Sequence, residues 1–160
     1  MSTKDAPTRA ASPIPGQPPR LLVIQAPYYE EVVGGMLAGA RKRVEEAGGQ
    51  LEVVDVAGAF ELPAALRMAL AAGRGWDGFI LLGCVVKGET DHYDFICDAV
   101  CQGVMAIAAE TGAALGFGLL TVATLDQAIA RSRDDGMNKG VEAAHAALTQ
   151  VALARRWGRA

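Results

Sequence analysis

The segment Lys87-Gly88-Glu89-Thr90-Asp91-His92 concentrates chemistry: a cation, a flexible glycine, helix-capping residues and an imidazole. A helix beginning there would turn its free N–H groups toward an anion. The same positive end disfavours imidazolium, so His92 could stay neutral near pH 7 and exchange protons with a substrate, while Asp91 and Asp94 act in the opposite sense. An exposed helix-start histidine with no chemical task fits the spacing equally well. At Gly58-Ala59-Phe60-Glu61, backbone amides and a carboxylate meet at another expected helix start, a set suited to a neutral ligand rich in hydroxyls. An ordinary strand-to-helix turn with Phe60 as core is the commoner meaning of such a pattern. Arg131, Arg133, Asn138 and Lys139 bracket a later turn. Such charges usually face solvent, yet Arg131 or Lys139 could meet a phosphate, and spacing alone does not decide.

Several other chemistries are excluded. Phosphate cradles need glycines or hydroxyls where backbone approaches phosphate, and Ala26-Pro27-Tyr28-Tyr29 supplies neither. Gly34-Gly35 followed by Gly39 falls inside a helix, with the wrong spacing for a dinucleotide fingerprint. A receiver domain would need carboxylates where Gln25 and Val86 stand. The three cysteines, Cys84, Cys97 and Cys101, are an odd number without a secretory context, which points to reduced thiols in the cytoplasm. Cys97 and Cys101 share one helix face, but a metal site would need further ligands and only His92 and His145 are available. The expectation is no metal, with the thiols buried as small apolar groups. His145 lies mid-helix with no charged cluster nearby in sequence and reads as structural.

These residues need a scaffold, and from Leu21 onward short apolar runs alternate with helical periodicity. Strands are expected at 21–25, 51–56, 79–86 and 115–122, the third being the most apolar and therefore central. Helices are expected from Val32 to the Gly48-Gly49 stop, around Leu62 to Leu70, over 91–111, over 125–132 and over 138–157. The alternation predicts an α/β fold, a flavodoxin-like three-layer αβα sandwich with a four-stranded parallel sheet. Ligands of such sheets bind beyond the carboxyl ends of the strands, which directs attention to the loops named above.

At 160 residues, the chain is sized for one domain that needs no disulfide to hold it. Its 15 basic against 18 acidic residues, net −3, argue against a nucleic-acid partner, and the one dense basic cluster, Arg155, Arg156 and Arg159, reads as a solvated helix end. No apolar run is long enough for a membrane span. Residues 1–19 hold five of the seven prolines and no apolar stretch of the secretory kind, so a disordered tail is expected ahead of a domain over 20–160.

Four ordered blocks resemble one family: Gly58-Ala59-Phe60-Glu61-Leu62-Pro63, Leu82 to Asp94, Gly116-Phe117-Gly118-Leu119-Leu120-Thr121, and Asn138-Lys139-Gly140. From Leu21 to Arg156 the chain resembles 6,7-dimethyl-8-ribityllumazine synthase, the penultimate enzyme of riboflavin biosynthesis. The resemblance implies condensation of 5-amino-6-(D-ribitylamino)uracil with 3,4-dihydroxy-2-butanone 4-phosphate, releasing phosphate and water, with no metal or organic cofactor. By position it makes His92 the proton-transfer residue and Arg131 the grip on the substrate phosphate, helped by Glu89 and Thr90. Ala59, Phe60 and Glu61 would hold the ribityl chain, and the backbone of Cys84, Val85 and Val86 would read the pyrimidine, with Lys139 near that ring. Tyr28 would stack on the heterocycle, and Phe117 would close the pocket from a neighbouring subunit of a homo-oligomer.

The chain departs from the family where Pro27 replaces a common arginine and Tyr28 the more usual phenylalanine. The turn Ser132 to Met137 also departs from the glycine-lysine pattern associated with icosahedral shells, favouring a pentamer or a pair of pentamers. A non-catalytic flavin- or lumazine-binding paralogue, or a shell protein, would be expected to lose the reactive residues. His92, Arg131 and Lys139 are all present, which favours the enzyme.

Overall fold

The computed structural model describes residues 14–158. Its elements run β1 (Arg20–Gln25), α1 (Glu30–Glu46), β2 (Gln50–Asp55), α2 (Glu61–Ala72), β3 (Gly78–Val86), α3 (His92–Thr111), β4 (Leu115–Val122), α4 (Leu125–Ile129) and α5 (Lys139–Arg156). The four strands form one parallel sheet in the order β2-β1-β3-β4. This is the doubly wound arrangement expected from the alternation of apolar runs and helical periodicity.

The pleat sends alternate side chains to opposite faces, which splits the core in two. Leu21, Val23, Ile80 and Leu82 pack with Val32, Met36 and Val44 of α1 and Ala144, Ala147 and Leu148 of α5. Leu22, Ile24, Phe79 and Leu81 pack with Leu62 and Leu66 of α2 and Val100 and Val104 of α3. Gly78 to Cys84 is buried without a break, as a central strand covered on both faces must be.

Glycines set the closeness of the α1 and α5 layer. A Cβ on Gly140 would overlap the Met36 carbonyl, and one on Gly116 would overlap the Ala143 carbonyl. Within α1, a Cβ on Gly35 would lie 2.6 Å from the Ser132 carbonyl oxygen, and one on Gly39 would lie 2.7 Å from Asn138 Oδ1. Those helical glycines therefore make room for the turn between α4 and α5, not for a nucleotide.

Three sequence readings need correction. Arg155 is not a solvated helix end: its guanidinium donates to the carbonyls of Pro15 (2.7 Å) and Gln17 (2.6 Å) and pairs with Asp77 at 2.9 Å. Asp77 in turn accepts from the Arg20 N–H at 2.7 Å, so this network fastens the chain entering β1. Residues 1–13 of the expected tail, and Arg159, lie outside the described residues. The remainder of that segment is held: Ile14 packs on the core and Pro19 is buried. His145 is likewise not remote from charge, because Arg43 Nη2 approaches its Nδ1 at 3.0 Å from α1.

Candidate active site

Pro27 lacks an amide hydrogen and cannot continue a ladder. Pairing between β1 and β3 stops at Gln25 and Leu82, with one further bond from the Ala26 N–H to the Leu82 carbonyl (2.9 Å). β3 and β4 continue together to Val86 and Val122. Successive peptide groups of a strand face opposite neighbours. The Leu82 carbonyl faces β1 and the Lys87 N–H faces β4, where it meets the Val122 carbonyl at 2.9 Å. The N–H and C=O groups of Cys84 and Val86 therefore face the side that β1 has vacated, while those of Val85 face β4.

That vacated side is a cleft of about 320 Å³. It is lined by Tyr28 after β1, by Ala59, Phe60 and Glu61 entering α2, by Cys84, Val85 and Val86 ending β3, and by His92 opening α3. Tyr28 is 78% exposed and Phe60 48%, so two large aromatic faces stand uncovered at the mouth. Phe60 and His92 face one another with ring centroids 6.3 Å apart. No lysine or arginine lines this cleft. Lys87 stays beside it, 3.9 Å from Asp94 and 5.7 Å from the Tyr93 ring centroid. Burial pushes the Cys84 thiol up to about 11, so it is protonated at neutral pH.

A second cleft, of about 470 Å³, runs along β4 and α5 and contains Phe117, Arg131 and Lys139. Asn138 builds it. This buried residue caps α5, its Oδ1 accepting from the Gly140 N–H (2.8 Å) and the Val141 N–H (3.2 Å). Its Nδ2 donates to the carbonyls of Gly35 (3.0 Å) and Ser132 (2.8 Å), tying the cap to α1 and to the turn. Arg131 Nη1 donates to the Gln127 carbonyl at 2.8 Å, and Lys139 Nζ lies 2.8 Å from each carboxylate oxygen of Glu142.

The site residues expected from sequence thus fall into two groups. Tyr28, Ala59, Phe60, Glu61, Cys84, Val85, Val86 and His92 come together in the first cleft, and Phe117, Arg131 and Lys139 in the second. Glu89 and Thr90 sit on the exposed loop between β3 and α3 and line neither. Sequence reading missed Glu142 and His145, which join the second cleft; their only signal was the repeated three-residue spacing after Lys139. Among the described residues there is no cluster of His, Cys, Asp or Glu able to hold a metal ion, and no helix is long and apolar enough to cross a membrane.

The sequence model of the 6,7-dimethyl-8-ribityllumazine synthase family matches residues 18–155. The chain belongs to this family. A lumazine synthase of Methylorubrum extorquens (strain PA1) is 40% identical over 156 residues, covering 95% of this chain and 89% of the relative. A 6,7-dimethyl-8-ribityllumazine synthase 1 of Rhizobium meliloti (strain 1021) is 40% identical over 146 residues, covering 89% and 95%. The lumazine synthase of Methylobacterium radiotolerans is 43% identical over 136 residues, covering 85% and 82%. The match takes in every residue lining both clefts.

Proposed function

We propose that the two clefts are complementary halves of one active site, apposed by neighbouring subunits. There 5-amino-6-(D-ribitylamino)uracil condenses with 3,4-dihydroxy-2-butanone 4-phosphate to give 6,7-dimethyl-8-ribityllumazine, phosphate and water. The observation that carries this reading is the separation of chemistry between the clefts. Aromatic faces, an open backbone edge, a carboxylate and an imidazole line the first, whereas Arg131 and Lys139 line the second. A heterocycle joined to a phosphorylated ketone needs both.

In this reading the ribityl hydroxyls meet the Glu61 carboxylate and the backbone of Ala59 and Phe60. The pyrimidine edge pairs with the open peptide groups of Cys84 and Val86, beside Val85, and Tyr28 stacks on the ring. Phe117 closes the pocket from the neighbour, whose Arg131 takes the phosphate together with Glu89 and Thr90 of the first subunit's loop, and whose Lys139 lies near the ring. The amine attacks the ketone and water leaves as the imine forms; the imine loses phosphate to give an enol that tautomerises to a ketone, and the second nitrogen closes the ring on that ketone with loss of another water. Holding two oriented reactants is worth about 7–11 kcal/mol of barrier. His92 then only carries protons between substrate atoms, a contribution on the order of a hundredfold. Arg131 stabilises the phosphate as it binds and as it leaves.

Two different patches that meet between neighbours make a head-to-tail contact, which gives a ring where the rotation between subunits closes. A pentamer is the ring we propose, in the cytoplasm, where Cys84, Cys97 and Cys101 remain free thiols. The direct test mixes purified protein with both substrates and follows lumazine absorbance and phosphate release against a protein-free control. Both signals should accelerate together; neither exceeding the control would refute the reading.

A further inference from the structure

We propose that Glu142 is a positioning residue for this reaction: it grips Lys139, cancels that charge inside the second cleft, and so leaves the phosphate to Arg131. The inference rests on the two-cleft reading above. Lys139 opens α5 and Glu142 follows three residues later, a spacing that places both side chains on one helix face. The ammonium is held by both carboxylate oxygens at 2.8 Å, with the two side chains only 25% and 21% exposed, so solvent screens this pair less than an ordinary surface pair.

The remaining polar groups of the cleft decide what that grip accomplishes. Arg131 is exposed, with Nη1 engaged by the Gln127 carbonyl. His145 receives Arg43 Nη2 at its Nδ1, 3.0 Å away. With Lys139 held by Glu142, the cation of the cleft left open to an anion is Arg131. An ammonium has three hydrogens. Two point into the Glu142 carboxylate, which leaves one for an uncharged ligand oxygen and makes Lys139 a poor rival for a phosphate dianion. The carboxylate therefore sorts the ligands: phosphate to the guanidinium, neutral heterocycle to the ammonium.

The test compares the full chain with Glu142→Gln, Glu142→Asp and Arg131→Ala, measuring inorganic phosphate affinity together with kcat and KM for both substrates. Glu142→Gln should bind inorganic phosphate roughly twofold to fivefold more tightly, because Lys139 is no longer neutralised. Its kcat should fall by about tenfold as the ammonium loses its position. Glu142→Asp keeps the charge, so its phosphate affinity should match the parent while kcat is only partly lost. A merely structural carboxylate would give no tighter phosphate binding in the Gln variant. Unchanged phosphate affinity and kcat in Glu142→Gln would overturn the proposal. If Arg131→Ala weakens phosphate binding while Glu142→Gln changes nothing, the two-cleft reading stands and the role of Glu142 alone falls. Undiminished phosphate binding in Arg131→Ala would remove both.

Discussion

The backbone N–H of Lys139 donates to the carbonyl of Arg131 at 2.8 Å, joining the two cations of the second cleft across the turn that separates α4 from α5. Their spacing is therefore a property of the main chain and not of two flexible side chains. Arg131 enters from α4, whose Thr124 cap accepts from the Gln127 N–H, while the Gln127 side chain accepts from the Ala123 N–H at 2.9 Å. Lys139 enters from the cap made by Asn138. A loop of charged residues becomes a rigid two-cation bracket.

Asn138→Ala should destabilise the protein by about 3 kcal/mol, since it removes an N-cap and leaves two carbonyls without their buried donor. Asn138→Asp should be at least as damaging, although aspartate caps exposed helices equally well, because its second oxygen would face the Gly35 and Ser132 carbonyls. Denaturant unfolding checks both, and a stable Asp variant would show that the Nδ2 contacts matter little.

The glycines of this layer should respond in opposite directions. Gly34 lies on the exposed face of α1 with nothing near its absent Cβ, so Gly34→Ala should stabilise by about 0.5–1 kcal/mol through helix propensity. Gly140→Ala meets the Met36 backbone and should cost about 3 kcal/mol or fail to fold. Thermal melts of the pair distinguish propensity from packing; a neutral Gly140→Ala would mean that α1 and α5 can separate freely.

Most of the fold was legible because the central strands β1 and β3 are buried on both faces and read as continuous apolar runs. β4 was expected at 115–122 and occurs at Leu115–Val122. The loops at the strand ends followed from topology, and so did the location of His92 and Glu61 at helix starts. What escaped were pairings across long stretches of chain. Arg155 seemed free because nothing local reveals Asp77, 78 residues away, or the Pro15 carbonyl. Arg43 and His145 meet only once α1 lies against α5. The resemblance set Phe117 apart as a neighbour's contribution, but Arg131 and Lys139 joined it, apart from His92, only once the β4 edge and the β3 end were placed in space.

Burial raises the Cys84 thiol from 9.0 to about 11, and the thiols of Cys97 and Cys101 also rise by burial. With Cys97 and Cys101 replaced by Ser, native Cys84 should react with a disulfide reagent at pH 8 on the order of a hundredfold more slowly than after unfolding. The sign for stability follows from a folded value above the unfolded one. The thiol's contribution is intact below pH 9 and is lost as pH rises through 11. Rapid native labelling at pH 8 would contradict this.

His92 faces Phe60 across the mouth of the first cleft and Arg131 lines the second, so their variants should fail differently. His92→Ala should lower kcat by roughly a hundredfold or less with the uracil KM nearly unchanged. Arg131→Ala should chiefly raise KM for the butanone phosphate. Steady-state kinetics with each substrate varied checks the split, and an unchanged kcat in His92→Ala would remove that residue from the mechanism.

The central claim, that each active site draws its first cleft from one subunit and its second from the next, is tested most directly by mixing defects. His92→Ala and Arg131→Ala proteins, each nearly inactive in the presence of low butanone phosphate, are unfolded together and reassembled in equal amounts. Random mixing should restore about a quarter of the sites, those pairing an intact first cleft with an intact second. Activity that stays at the level of the separate variants after verified co-assembly would place both residues in one subunit's site and contradict the account.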